Sequence, residues 1–489
     1  MTTQVSRRGF LAASAALAAT TALPRFARAE SSPLALTATT RTIEVDGRAA
    51  TVYGLVDAAG KSGLILNPGQ RFRVDLTNTL DVETLVHWHG QIPPNVQDGV
   101  PDLPMPKLKP GETRAYDFAP EAGTYWMHSH IATQEMHMLA APLIVRSKAD
   151  AAADRQDVVM FLHDFSFKPA EEVLAEITAG SAASDGMGGM SGMGQMAGAG
   201  SMDGMSGMSG MSGMVMDLND YDFDAYLAND RTLLDPEVVS VEKAGRIRLR
   251  VVNAAAATTF WIDTGTVPGR LVAVDGHDVQ PLAGRRFGVA MAQRLDIELD
   301  LPAGGGSFPI LAQREGSRDR TGLILATAGA RVQRIAAQAE AEAPAFDTDL
   351  AQESRLRAAN PLAGRPIDKA ETVMLSGAMQ PYIWTINGQT WETHVPVTAR
   401  SGQRVELTFH NMSMMSHPMH LHGHAFQVVA IGGQRFSGAL RDTVLVPPMA
   451  AVTIALDAGE AARWLLHCHH IPHMASGMMT EFAVAAKSA

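Results

Sequence analysis

Arg71-Phe72-Arg73-Val74-Asp75-Leu76 alternates polar and apolar side chains, the period-two pattern of a strand with one buried face. It follows Pro68-Gly69, a turn signal. The same unit returns twice. Ala244-Gly245 precedes Arg246 to Val252 (RIRLRVV), and Ser401-Gly402 precedes Arg404 to Phe409 (RVELTF). A turn-then-strand unit at three widely spaced places predicts an all-β chain of three related β-sandwich domains. Composition divides them at 30–149, 150–335 and 367–489. Residues 336–366, rich in Ala and Glu and then in Pro and Gly, read as a linker between the second and third domains. Residues 185–216 are mostly Gly, Ser and Met, with ten methionines, many of them three residues apart. This stretch has no core periodicity and reads as a flexible insertion in the second domain.

The 489 residues are 46% hydrophobic and 19% charged, enough apolar surface to bury several cores. A formal net charge of -11 disfavours nucleic acid as a partner and suits a metal cation or a small neutral or basic substrate. The N-terminus reads as an export signal over 1–29. Ser6-Arg7-Arg8-Gly9-Phe10-Leu11 resembles the twin-arginine motif, an apolar run follows from Phe10 to Leu23, and Ala27-Arg28-Ala29 forms a small-residue cleavage site. Fourteen apolar residues fall short of a bilayer span, and no other run reaches the ~18 that a spanning helix needs. The expectation is a substrate of the twin-arginine export machinery that matures at Glu30. It is periplasmic or otherwise exported, with no stable membrane span; an N-terminal anchor is the alternative.

The chemistry lies in the histidines. Random placement of 17 histidines gives about 0.6 His-x-His pairs. The chain has five: His87/His89, His128/His130, His420/His422, His422/His424 and His467/His469. On a strand, residues i and i+2 share a face, so each pair presents two imidazoles side by side. One such pair alone is more often packing than a ligand set. Pairs at both ends of the chain would converge eight imidazoles if the end domains meet, enough for a polynuclear metal site. Imidazole suits copper, zinc, iron and nickel alike.

Cys468 narrows the choice. It is the only cysteine, so no intramolecular disulfide can form. His467-Cys468-His469 is followed by His473 and Met478, and on a strand Cys468 points away from its two neighbours. A thiolate, two imidazoles and a weak thioether describe a blue-copper electron-transfer site, with His417 able to supply the second imidazole. Structural zinc is mostly tetrahedral and has no use for ten histidines.

These motifs together resemble the three-domain multicopper oxidases: HWHG at 87–90, HSH at 128–130, HPMHLHGH at 417–424 and HCHHIPHMASGM at 467–478. Gly123-Thr124-Tyr125-Trp126 and Met414-Met415 bring the resemblance nearest to the bacterial copper-resistance, cuprous-oxidase and laccase-like branch. It implies three cupredoxin-like Greek-key sandwiches and four copper ions. By motif, His417, Cys468, His473 and axial Met478 would hold a type 1 copper, and His87 and His420 a type 2 copper. His89, His128, His130, His422, His467 and His469 would hold a type 3 pair. His424 and His470 fall outside the motifs; His424 reads as structural or supporting. Asp98, in Gln97-Asp98-Gly99, stands where the family has an acid implied to assist proton delivery; an aspartate before glycine is also a common turn element. In two places the chain departs from the cuprous oxidases: Met474 and Ser413 stand where some carry acids. Met415 is a candidate soft ligand for an incoming cuprous ion, or a core residue.

The reaction implied is one-electron oxidation of a substrate coupled to four-electron reduction of dioxygen to water. Cu(I) is the favoured substrate, because soft thioethers select it and ten lie in one stretch. Phenols or aromatic amines, or Fe(II) or Mn(II), are the alternatives within the same chemistry. A copper-buffering protein without turnover is the alternative from another class, and it has no need of a dioxygen site.

Overall fold

The strand expected at 71–76 runs Phe72–Asn78, with Phe72, Val74 and Leu76 buried and the residues between them half-buried. It pairs in parallel with Leu34–Val45 and antiparallel with Thr113–Phe118. Arg246–Asn253 sits in the same way between Gln156–Phe165 and Arg294–Asp300. Arg404–Asn411 does so between Lys369–Met379 and Ala451–Asp457. One three-strand arrangement therefore occurs three times, as the repeated unit predicts.

The computed structural model describes residues 32–179, 218–346 and 350–487. The export signal read at 1–29 and the methionine-rich stretch at 185–216 lie outside the described residues. Each repeated strand belongs to a sheet that shares an apolar core with a second sheet. Phe72 and Leu76 pack with Trp88 and Leu143 in the first sandwich, Leu249 with Ile310 and Leu323 in the second, and Phe409 with Leu466 and Phe482 in the third. No helix among the described residues is long and apolar enough to cross a membrane.

The polar face of a repeated strand is not always solvated. Arg250 is fully buried, because the first sandwich covers this strand of the second. Its guanidinium meets Asp157 at 2.8 Å, Asp296 at 3.0 Å and the Thr124 hydroxyl at 2.9 Å. A buried cation survives only when paired in this way.

The described residues of the stretch 336–366 start along the second sandwich and end on the third, where the Leu362 amide donates to Gln427 at 3.1 Å. Gln338 and Ala343 bridge to Asp319 and Glu315, Phe346 and Leu350 are buried, and a short 3-10 turn, Glu353–Arg355, carries Glu353 inward. There Arg441 of the third sandwich takes Glu353 at 2.9 Å and Asp275 of the second at 2.8 Å. Replacing Arg441 with Met keeps the bulk but strips Glu353 of its guanidinium. Breaking a buried pair from one side costs about 3–5 kcal/mol, so the copper-free variant should melt well below the parent; equal melting temperatures would contradict this role.

Candidate metal centre

Strand register brings the histidine pairs together. Val86–His87 runs antiparallel to Gly123–Ser129 with His87 opposite His128. His417–Leu421 runs antiparallel to Arg463–Cys468 with His420 opposite His467 and Met419 opposite Cys468. The two strand pairs belong to the first and third sandwiches, and their imidazoles interleave. His87 lies over His422 with centroids 3.9 Å apart, and His89 stacks on His420 at 3.8 Å. His128 and His469, and likewise His130 and His467, approach to 5.0 Å. All eight are buried. In three trios, His87/His89/His420, His89/His128/His469 and His130/His422/His467, one nitrogen from each ring lies within 4.8 Å of the others.

Three acidic residues each touch one imidazole of the first sandwich and one of the third. Asp98 is folded back onto His87 because Gly99, at φ 87°, lets the chain pass so close that a Cβ would meet the Val86 carbonyl. His87 Nδ1 lies 2.8 Å from the Asp98 carbonyl oxygen, and His422 Nδ1 lies 2.8 Å from Asp98 Oδ2. Asp442 Oδ1 is 3.1 Å from His89 Nε2, and its carbonyl oxygen is 2.8 Å from His420 Nδ1. Glu135 Oε2 is 2.8 Å from His128 Nδ1, and its Oε1 is 3.7 Å from His469 Nδ1. The second sandwich contributes Arg294, whose Nη1 meets Asp442 Oδ1 at 2.8 Å. The glycine of the HWHG motif makes room for that pair: at Gly90, φ 84°, a Cβ would strike both Arg294 and Asp442. Burial alone would raise the Asp442 carboxyl, but Arg294, with His89 and His420, holds it well below the ordinary range.

Sequence reading missed Glu135 and Asp442. Glu135, five residues past His130 on the short helix Ala132–Met136, carried a weak signal by proximity; Asp442 carried none.

This arrangement fits a bound cation. The Nε2 atoms of His87, His130, His420 and His469 are buried without a hydrogen-bond partner, a cost that a ligated metal removes. Burial pushes His89, His130, His422, His467 and His469 well below the ordinary histidine range, leaving the neutral form that ligates metals.

The second site lies in the core of the third sandwich. Cys468 Sγ is 3.7 Å from His417 Nδ1 and 3.8 Å from His473 Nδ1, and all three residues are fully buried. Met478 is buried in the same core. The far nitrogens point toward other groups, so both Nδ1 atoms face the sulfur. His417 Nε2 is 2.8 Å from the Ser413 hydroxyl, and His473 Nε2 is 3.4 Å from Asp220. Burial pushes the Cys468 thiol up, so a thiolate forms here only against a cation. Trp384 lies over His473 at 4.0 Å, and His470 stacks on it at 3.9 Å. Buried Asp220 also accepts the Tyr382 hydroxyl. Asp220 was not foreseen.

Among the other candidates, Met415 is buried in the third core while Met412 and Met414 are exposed. Met474 packs with Ile471 and Met136. His424 spans the His422 carbonyl at 2.9 Å and the Gly459 amide at 3.0 Å, both contacts within the fold.

Sequence models described as multicopper oxidase match residues 37–150, 156–334 and 365–488. Multicopper oxidase MmcO of Mycobacterium tuberculosis is 30% identical over 84% of this chain and 79% of its own length. The chain belongs to the multicopper oxidase family. Copper resistance protein A of Escherichia coli is 24% identical to the oxidase over 85% of this chain and 86% of its own. The crystal structure of a multi-copper oxidase from Pseudomonas thermotolerans superposes with a TM-score of 0.69 at 22% identity, over 92% of the oxidase and 98% of that chain. The three sandwiches are cupredoxin folds, and the oxidase is a copper-dependent enzyme.

A copper held by the Cys468 thiolate would give an intense blue absorption, and replacing Cys468 with Ser should abolish that band and turnover with every reductant. Replacing His128 and His130 together should stop dioxygen reduction and leave the blue band in place. Lost colour with retained oxygen uptake in that double variant would reverse the assignment of the two sites.

Proposed function

We propose that the oxidase converts Cu(I) to Cu(II) outside the cytoplasm. Four cuprous ions, four protons and one dioxygen give four cupric ions and two waters. His417, Cys468, His473 and Met478 would hold the type 1 copper, and His87 and His420 the type 2 copper. His89, His128, His130, His422, His467 and His469 would hold the type 3 pair. Bound there, copper supplies one-electron redox chemistry at the first site and dioxygen reduction at the other three. The domain divisions at 30–149, 150–335 and 367–489, and export of a chain beginning at Glu30, belong to the same proposal.

The residues of the chain position and insulate. Cys468 joins its site by peptide bonds to His467 and His469 of the other, a short covalent route for electrons. Burial of all the imidazoles keeps bulk solvent from their nitrogens. Asp98 holds the Nδ1 side of His422 and, within the proposal, is the acid that passes protons to the dioxygen site.

The observation that carries the substrate assignment is where the described residues on either side of the methionine-rich stretch pack. Before it, Val173 and Ile177 of the helix Ala170–Thr178 lie in the same core as Cys468 and Met478. After it, Asp220 reaches His473, and Tyr221 and Phe223 pack against that core. A thioether-rich segment whose described flanks both pack beside the electron-entry site suits capture of a soft cation. The likeness to a protein named for copper resistance agrees with this. A bulky phenol would meet His417 and His473 buried beneath Asp220, Tyr382, Trp384 and His470.

Dioxygen uptake by the copper-loaded protein, measured in parallel with Cu(I), a phenol, Fe(II) and Mn(II), should be most efficient with Cu(I). Deleting residues 185–216 should lower efficiency for Cu(I) alone while copper content stays full. Unchanged Cu(I) kinetics after deletion would leave the stretch a linker; a gain for phenols would make it a lid.

A further inference from the structure

Glu135 differs from the other two acids at the cluster. Asp442 has Arg294, and Asp98 accepts from His422. Glu135 is 2% exposed, and neither carboxylate oxygen accepts a hydrogen bond among the described residues. Its only close charged or polar partners there are the Nδ1 atoms of His128 and His469. A carboxylate buried away from solvent is strongly disfavoured unless positive charge stands near it. His128 Nδ1 is also 3.0 Å from the Ser129 carbonyl, which can fix its tautomer without help. What Glu135 adds is therefore negative charge behind two imidazoles.

Those two imidazoles belong to one trio. Asp98 serves His87 and His422, which stand in different trios, whereas His128 and His469 share theirs with His89. The helix Ala132–Met136 cannot turn Glu135 away. Its neighbour Gln134 accepts from the hydroxyls of Thr84 at 2.7 Å and Ser129 at 2.8 Å, and donates to the Glu83 carbonyl at 2.8 Å. A buried side chain with three such bonds locks the turn that aims the carboxylate.

We propose that Glu135 is a positioning residue for the metal held by His89, His128 and His469: its carboxylate compensates the charge of that ion and orients two of its three imidazoles. This rests on the assignment of the eight imidazoles to a copper cluster. Supporting groups behind metal ligands change metal affinity by about 10–100-fold when removed.

The test compares wild type, Glu135→Gln and Glu135→Asp after copper loading. Three quantities are followed: the melting temperature of the copper-free protein, the blue absorption, and copper retention against a chelator. Electron paramagnetic resonance reports the cluster, because a coupled copper pair is silent and a lone survivor is not. Glu135→Gln should melt like wild type when copper-free and keep the full blue band. It should lose copper from the cluster at least about tenfold faster, with a new paramagnetic signal as the pair is broken. Glu135→Asp, which keeps the charge on a shorter arm, should fall between the two. Equal retention and equal spectra in Glu135→Gln would overturn the proposal, as would a fall in copper-free melting temperature that takes the blue band with it. A wild-type protein that takes up no cluster copper would overturn the copper assignment beneath it.

Discussion

Eight imidazoles are buried between two sandwiches from opposite ends of the chain, and four of them leave a ring nitrogen with nothing to bond. Such an interface is costly by itself. Neutral rings solve part of the problem, because burial holds them unprotonated. The remaining unpaired nitrogens call for an electron-pair acceptor, and a metal ion is the one that imidazole suits. Much of the geometry around the cluster follows from this requirement. The glycines at 90 and 99 admit side chains and backbone at distances no Cβ would allow, and three acids stand behind the rings.

The second sandwich carries no imidazole of either site, yet it is wired into both. Arg294 clamps Asp442, which touches His89 and His420. Asp275 takes Arg441, the residue before Asp442. At the other site, Asp220 reaches across to His473. The charges are buried and paired, so each contact is sensitive to a small displacement. A middle domain of this kind fixes how the outer two meet, and so fixes whether the imidazoles interleave.

The fold was legible because its signal is local: alternation over six or seven residues after a turn, three times. The convergence of the histidines was legible for the same reason, since His-x-His spacing turns directly into shared faces and Cys468 between two histidines turns into opposite ones. Partners brought by tertiary contact were not. Asp442 and Asp220 sit in stretches with no motif of their own, and their role depends on which sandwich they meet. Arg250 looked like the solvated face of a strand and is fully covered by the neighbouring domain. Ser413 was noticed as a departure from an acid; only the structure puts its hydroxyl against His417 Nε2.

Where copper binds decides the chemistry of both sites most directly. Anomalous diffraction at the copper absorption edge, from crystals of the copper-loaded protein, locates each ion without reference to activity. The prediction is one peak among His417, Cys468 and His473, and a compact group of peaks among the eight imidazoles between the first and third sandwiches. A fully loaded protein with no density between those sandwiches, or with its copper bound at other residues, would contradict it.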